Sequence, residues 1–320
     1  MNIIFCFDRC HIGDMLFTKS FIKQFCEKNN NDNIKIYNLM KYNYALFNDI
    51  PNLNIIKAEH NYSNDKEYIN NIINDYLYFN YLNNNESRDY IEHIIFLINN
   101  NHNFIDNNYL IYNNTIYIKV WFANSNLKDI ECSNYICNQY FNSIITNINT
   151  HLKNEYQLKL IDNCELLPSI PNSNIDKFLS YKKDKKLIFY YNYEPKSGQN
   201  VPYNHENNII YLSNKFSDYI ICCSLKSNYK SDNVICLENF DYITDASCEN
   251  IVKSYYCALN SDIVISFDIG ACFYYSNNDF NNDFKGKWFH LSVIDYYYNK
   301  MINNIKENKK VKLINNIEEI

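Results

Sequence analysis

Glycine and proline are nearly missing from this chain: four and five residues in 320. Without glycines the chain lacks Gly-x-Gly-x-x-Gly after its first apolar run, where Gly13 stands alone, so a nicotinamide-dependent Rossmann enzyme is not expected. The Walker phosphate loop is missing too. No apolar stretch approaches the ~18 residues of a membrane-spanning helix. Positive charge is in deficit: 30 Lys and Arg against 36 Asp and Glu, a net charge of −6 and a pI near 5.7. Such a chain is not expected to bind nucleic acid. The local exception is Lys306, Lys309, Lys310 and Lys312, a solvated helix end or a weak contact for an anionic membrane surface. Cys132 and Cys137 have no second Cys/His pair at finger spacing, so no metal site is expected.

Twelve cysteines are present. Cys6, Cys222, Cys223 and Cys236 fall in or beside apolar runs, where a thiol acts as a small buried hydrophobe. The chain starts directly with Asn2-Ile-Ile-Phe-Cys-Phe7 and then charge, with no secretory leader, so free thiols and a cytoplasmic location are expected. Asn, Ile, Tyr and Lys are in excess, which reads as drift toward AT-rich codons. The runs Asn29 to Asn31 and Asn83 to Asn85 are expected in surface loops. The 31 Tyr and 20 Phe offer stacking surfaces as well as core, and none is singled out.

With 47% hydrophobic and 21% charged residues the chain can bury a core, and its length suits about two domains of ~150 residues. Strand-like runs are expected at Asn2 to Phe7, Ile34 to Tyr37, Leu53 to Lys57, Tyr117 to Val120, Lys186 to Tyr191, Asp218 to Ser224, Asn233 to Leu237 and Asp262 to Phe267. Weaker runs lie at Ile94 to Leu97 and Tyr109 to Tyr112. Helical spacing is expected after Gly13 and over Glu67 to Tyr78, Asn134 to Leu152, His205 to Asn214, Cys248 to Leu259 and Val293 to Ile305. Leu166-Leu-Pro-Ser-Ile-Pro-Asn172 is the linker candidate. The alternation implies an α/β protein: two Rossmann-like doubly wound domains, 1–165 and 166–320, with parallel sheets facing a cleft. Ligands of such sheets sit at the carboxyl ends of the strands.

Of the four glycines, Gly13 and Gly270 each follow an apolar strand. There glycine allows close backbone approach to a ligand, and a helix N-terminus offers free N–H groups. Between the strand ending at Tyr191 and the helix at His205 lie Lys196, Ser197, Gly198 and Gln199, a polar loop suited to a phosphate or to an ordinary turn.

Two segments resemble the heptosyltransferase-like (glycosyltransferase family 9-like) enzymes of GT-B fold. The first is Arg9-Cys-His-Ile-Gly-Asp14 followed by an apolar helix. The second is Leu259-Asn-Ser-Asp-Ile-Val-Ile-Ser-Phe-Asp268-Ile-Gly270-Ala271-Cys272. The resemblance implies a glycosyltransferase that moves a sugar from a nucleotide-diphosphate donor to a glycan or other hydroxyl acceptor. Inversion is expected, with no cofactor. Asp14 would be the general base, and Arg9 and Gly13 would lie on the acceptor side. Lys196 to Gln199, His205, Asp268, Gly270 and Ala271 would lie on the donor side. At a helix start Asp14 is equally suited to capping, and Arg9 to a surface ion pair. The chain has Ala271-Cys-Phe273 where the family has Pro-Met-His, and it lacks the family's glycine-containing opening of the second domain. Donor identity therefore does not carry over, and a catalytically inactive sugar or nucleotide binder on the same scaffold is the alternative. A different GT-B enzyme, such as an epimerase, and an interaction protein also remain open. No Asp-x-Asp pair is present, so the divalent metal of GT-A enzymes is not expected.

Overall fold

The computed structural model describes residues 1–7, 12–30, 32–38, 46–57, 109–112, 115–120, 134–161, 173–193, 203–240, 248–267, 283–291 and 311–320. Their strands fall into two sheets with none in common.

The first sheet is built on β1 (Asn2–Phe7), which pairs in parallel with β2 (Asn33–Asn38) on one side and β5 (Thr115–Lys119) on the other. β3 (Leu53–Lys57) extends the β2 edge, and β4 (Tyr109–Tyr112) the β5 edge, giving the order β3-β2-β1-β5-β4. Ile3, Ile4 and Phe5 are all buried. Successive strand residues point to opposite faces, so β1 is covered on both, which is why it reads as an unbroken apolar run. The α/β architecture with parallel sheets is as expected, with one exception: β4, at the edge, runs antiparallel to β5. Only two residues separate these strands, too few for the crossover a parallel pair needs.

Helix α1 (Ile12–Lys28) packs beside helix α2 (Asn134–His151). Phe21 and Phe25 of α1 meet Phe141 of α2 and Phe5 of β1 in one ring cluster. The Phe21–Phe141 pair is stacked at 4.5 Å, and Phe5–Phe25 is edge-on at 5.4 Å. Lys19 is buried in α1 and paired with Asp49 at 2.6 Å. Burial pulls its ammonium down to about 8 against the opposing pull of Asp49.

Three asparagines hold the extended residues 157–161 against these helices. Asn149 accepts from Leu158 N (2.8 Å) and donates to Leu158 O (2.9 Å). Asn29 accepts from Lys159 N (2.8 Å), and Asn142 accepts from Ile161 N (3.0 Å). Each side-chain amide takes the place of a neighbouring strand and satisfies a backbone that burial of Leu158 and Ile161 removes from water. Asn29, expected in a surface loop, is therefore a buried clamp. Asn83 to Asn85 lie outside the described residues.

The second sheet is wholly parallel, with the order β11-β10-β9-β6-β7-β8. Its strands are β6 (Lys186–Tyr190), β7 (Tyr219–Cys223), β8 (Val234–Cys236), β9 (Ile263–Phe267), β10 (Lys287–Leu291) and β11 (Val311–Ile314). Helix α3 (Asp176–Lys182) precedes β6, α4 (His205–Lys215) joins β6 to β7, and α5 (Cys248–Leu259) leads to β9. β10, β11 and α3 were not anticipated; all three are short, and the four residues of β11 include Lys312. Lys312, expected at a helix end, lies in β11 with its ammonium 5.9 Å from the Phe289 ring centre. Cys222, Cys223 and Cys236 are buried free thiols, as expected; burial drives the first two far up and Cys236 up.

Asp262 joins three elements at the amino end of β9. Its carboxylate accepts from Leu187 N at 2.8 Å and pairs with Lys182 at 3.0 Å, while its carbonyl accepts from Lys287 N at 2.9 Å. Gly286 sits against that carbonyl. A Cβ there would lie 2.7 Å from the Asp262 carbonyl carbon, so any side chain at this position would have to displace backbone. The expected helix Val293 to Ile305 and the linker 166–172 lie outside the described residues, as do the runs at 67–78 and 94–97.

Candidate functional site

In both sheets the first strand is central and the chain changes direction beside it. From β1 it goes to β2 and β3 and then returns to β5 on the far side. From β6 it goes to β7 and β8, then crosses to β9, β10 and β11. The crevice at the carboxyl ends of the two strands flanking such a switch is where open α/β sheets bind ligands. In the first sheet it lies between β1 and β5, and in the second between β6 and β9.

Gly13 and Asp14 are the second and third residues of α1, the helix that follows β1. The backbone thus carries Asp14 in the first turn of the helix beside the first switch. Arg9, Lys196, Ser197, Gly198, Gln199, Asp268, Gly270 and Ala271 lie outside the described residues.

His205, the first residue of α4, stands at the second switch. Its Nδ1 lies 3.0 Å from the hydroxyl of Tyr190, the last residue of β6, and Asn208 Nδ2 donates to the same hydroxyl at 3.0 Å. Phe267, the last residue of β9, meets the rings of His205, Tyr190 and Tyr203 at 5.0, 5.2 and 4.7 Å. Thus β6, β9 and the start of α4 converge on one half-buried imidazole. Burial pushes that imidazole down to about 4, against a weaker upward pull from Glu206, so it is neutral at physiological pH. Burial likewise raises the Tyr190 phenol well above its ordinary value, so it keeps its proton.

The surroundings are pinned. Burial acts to raise the Glu206 carboxyl, but Asn228 N, the Ser227 hydroxyl and Tyr229 N all donate to it, and together they hold it below its ordinary value. Glu206 therefore anchors the turn after β7. Asn192, just past β6, accepts from Leu225 N (2.7 Å) and donates to Leu225 O (3.0 Å). The start of α4 is largely closed. Its N–H groups at His205, Asn207 and Asn208 go to Tyr203 O, the Asn204 side chain and Asn204 O.

On the opposite face of β9, Ser266 accepts from Trp288 Nε1 at 2.6 Å and meets His290 Nδ1 at 2.7 Å. All three are buried, so this serine–histidine pair is packing and not a nucleophile. Among the described residues no three His, Cys, Asp or Glu gather as a metal site, and no helix is long and apolar enough to cross a membrane.

Sequence reasoning named His205 but missed Tyr190, Asn208 and Asn192. The spacing of His205 and Asn208, three apart on a helix, was a usable signal. That Tyr190 closes a strand beneath them was not, because strand and helix meet only in the fold.

No family model matches the chain, and neither does any curated protein. Among solved structures it is similar to a glycosyl transferase family 9 protein from Veillonella parvula DSM 2008. The identity is 14%, with 97% of this chain and 91% of that one covered and a TM-score of 0.48. It is also similar to the glycotransferase of kitacinnamycin, at 6% identity, 100% and 86% coverage and a TM-score of 0.39. Likenesses at these scores carry nothing about substrate or chemistry.

Proposed function

We propose that the chain is a sugar-nucleotide-dependent glycosyltransferase of two Rossmann-like domains, 1–165 and 166–320, facing a cleft. The observation that supports this best is positional. Asp14 of the first motif stands in the first turn after the central strand of one sheet, and His205 stands at the switch crevice of the other. In this reading the acceptor-side base and the donor-side pocket belong to the ligand-binding ends of two separate sheets.

In this reading Asp14 takes the proton of the acceptor hydroxyl, and Arg9 and Gly13 shape the acceptor side. Lys196, Ser197, Gly198 and Gln199, with Asp268, Gly270 and Ala271, receive the nucleoside diphosphate. Inverting transfer then needs one base and a stabilised leaving diphosphate, without a metal. The binder alternative is favoured by one sequence feature, Ala271-Cys-Phe273 in place of the family's histidine-bearing segment.

The test is turnover of a panel of nucleoside-diphosphate sugars by the wild type and by Asp14→Asn. Asparagine keeps the shape and caps a helix about as well, so melting temperature should hold. Loss of a general base should lower the rate by ~10²–10⁴. Retained turnover in Asp14→Asn would refute the base, and nucleotide binding with no turnover of any donor would favour the inactive binder.

A further inference from the structure

We propose that His205 is a neutral Nε2–H donor, locked in that tautomer by Tyr190, which binds the uncharged base or ribose of a nucleotide and not its phosphates. This rests on the donor-side reading above and specifies which part of the donor reaches the β6/β9 crevice.

The tautomer follows from counting protons. Asn208 Nδ2 can only donate, so Tyr190 oxygen accepts from it. The phenol is buried and holds its own proton, and among the described residues the one acceptor beside it is His205 Nδ1 at 3.0 Å. Nδ1 is then the acceptor, and the ring proton resides on Nε2, on the far side of the imidazole from Tyr190. Nε2 has no partner among the described residues.

The same geometry argues against phosphate. Three of the first N–H groups of α4 are already used internally. The next residue is the Glu206 carboxylate, anchored by three donors and of the wrong sign for an anion. The wall beside His205 is aromatic, made by Tyr203 and Phe267. A neutral donor with an aromatic wall and an adjacent carboxylate suits a heterocycle or a ribose oxygen.

The experiment uses the full chain, a panel of ribonucleoside diphosphates and calorimetry, with ¹⁵N NMR of the His205 ring in the saturated complex. His205→Asn keeps an acceptor for Tyr190 but withdraws the Nε2 donor, and should weaken the preferred diphosphate about three- to tenfold. His205→Gln places an amide N–H near the Nε2 position and should restore most of that loss, which a merely structural role would not. In the wild-type complex the ring should stay neutral down to pH 5. An imidazolium above pH 6 in the complex, with affinity rising on acidification, would make His205 a phosphate ligand and overturn the proposal while sustaining the donor reading. Unchanged affinity in His205→Asn overturns it as well. Failure of every diphosphate to bind the wild type would remove the donor reading itself.

Discussion

Acidification from pH 7 to pH 4 should destabilise the protein through His205, and His205→Asn should remove that part of the loss. The imidazole is pushed down to about 4 in the fold, against 6.5 for an exposed histidine. Above pH 6.5 the ring is neutral in both folded and unfolded chains and contributes no pH dependence. Below that value the unfolded chain takes up a proton that the folded chain refuses, so stability falls as pH falls through 6.5 and levels off below about 4. The gap of about 2.5 between the two values, at ~1.36 kcal/mol each, sets a ceiling of roughly 3 kcal/mol. The ring is only half-buried, and solvent lowers the realised figure. Glu206 contributes in a different window. Its carboxyl is held below its ordinary 4.5, so it acts only below that value. The difference between wild type and His205→Asn from pH 7 to 4.5 therefore isolates the imidazole. Urea unfolding at half-unit steps measures it, and NMR titration of the ring gives the folded value directly. A difference that stays constant over this range, or a ring that titrates near 6.5, would refute the reasoning and with it the half-buried Tyr190–His205 contact.

Gly286→Ala should destabilise by about 1–3 kcal/mol, because its Cβ meets the Asp262 backbone, which is itself held by Leu187 and Lys287; denaturant unfolding reads this. Phe141→Ala should cost about 3–5 kcal/mol, since its ring stacks on Phe21 and meets Phe5 edge-on in the first core; a variant within 1 kcal/mol of wild type would show that the α1–α2 contact is misplaced. Lys196→Ala should weaken nucleoside diphosphate binding while leaving the melting temperature of the free protein unchanged; equal affinity by calorimetry would remove its phosphate role.

The chain by itself determined the elements whose signal is local. β1 and β9 are buried on both faces, so they appear as largely apolar runs, broken in β9 only by Ser266, and Leu53–Lys57 and Cys248–Leu259 have the bounds their sequence pattern suggests. His205 opening a helix was legible for the same reason, whereas the Asn204 side chain that caps it was not read from the sequence. Tertiary structure decided the rest. β10 and β11 are short and acquire their hydrogen-bond partners only from β9 inward, and β4 becomes antiparallel because its partner is two residues away. Strand order, and hence the position of both switch crevices, depends on pairings across more than seventy residues, such as Ile188 with Ile263, which no local pattern encodes. Asn29 shows the same division. Its local sequence is a turn, and only Lys159, brought alongside by the fold, converts its amide into a buried clamp. The tautomer of His205 depends on Tyr190 and Asn208 arriving from a strand and a helix at one hydroxyl, so its chemistry exists only in the folded chain.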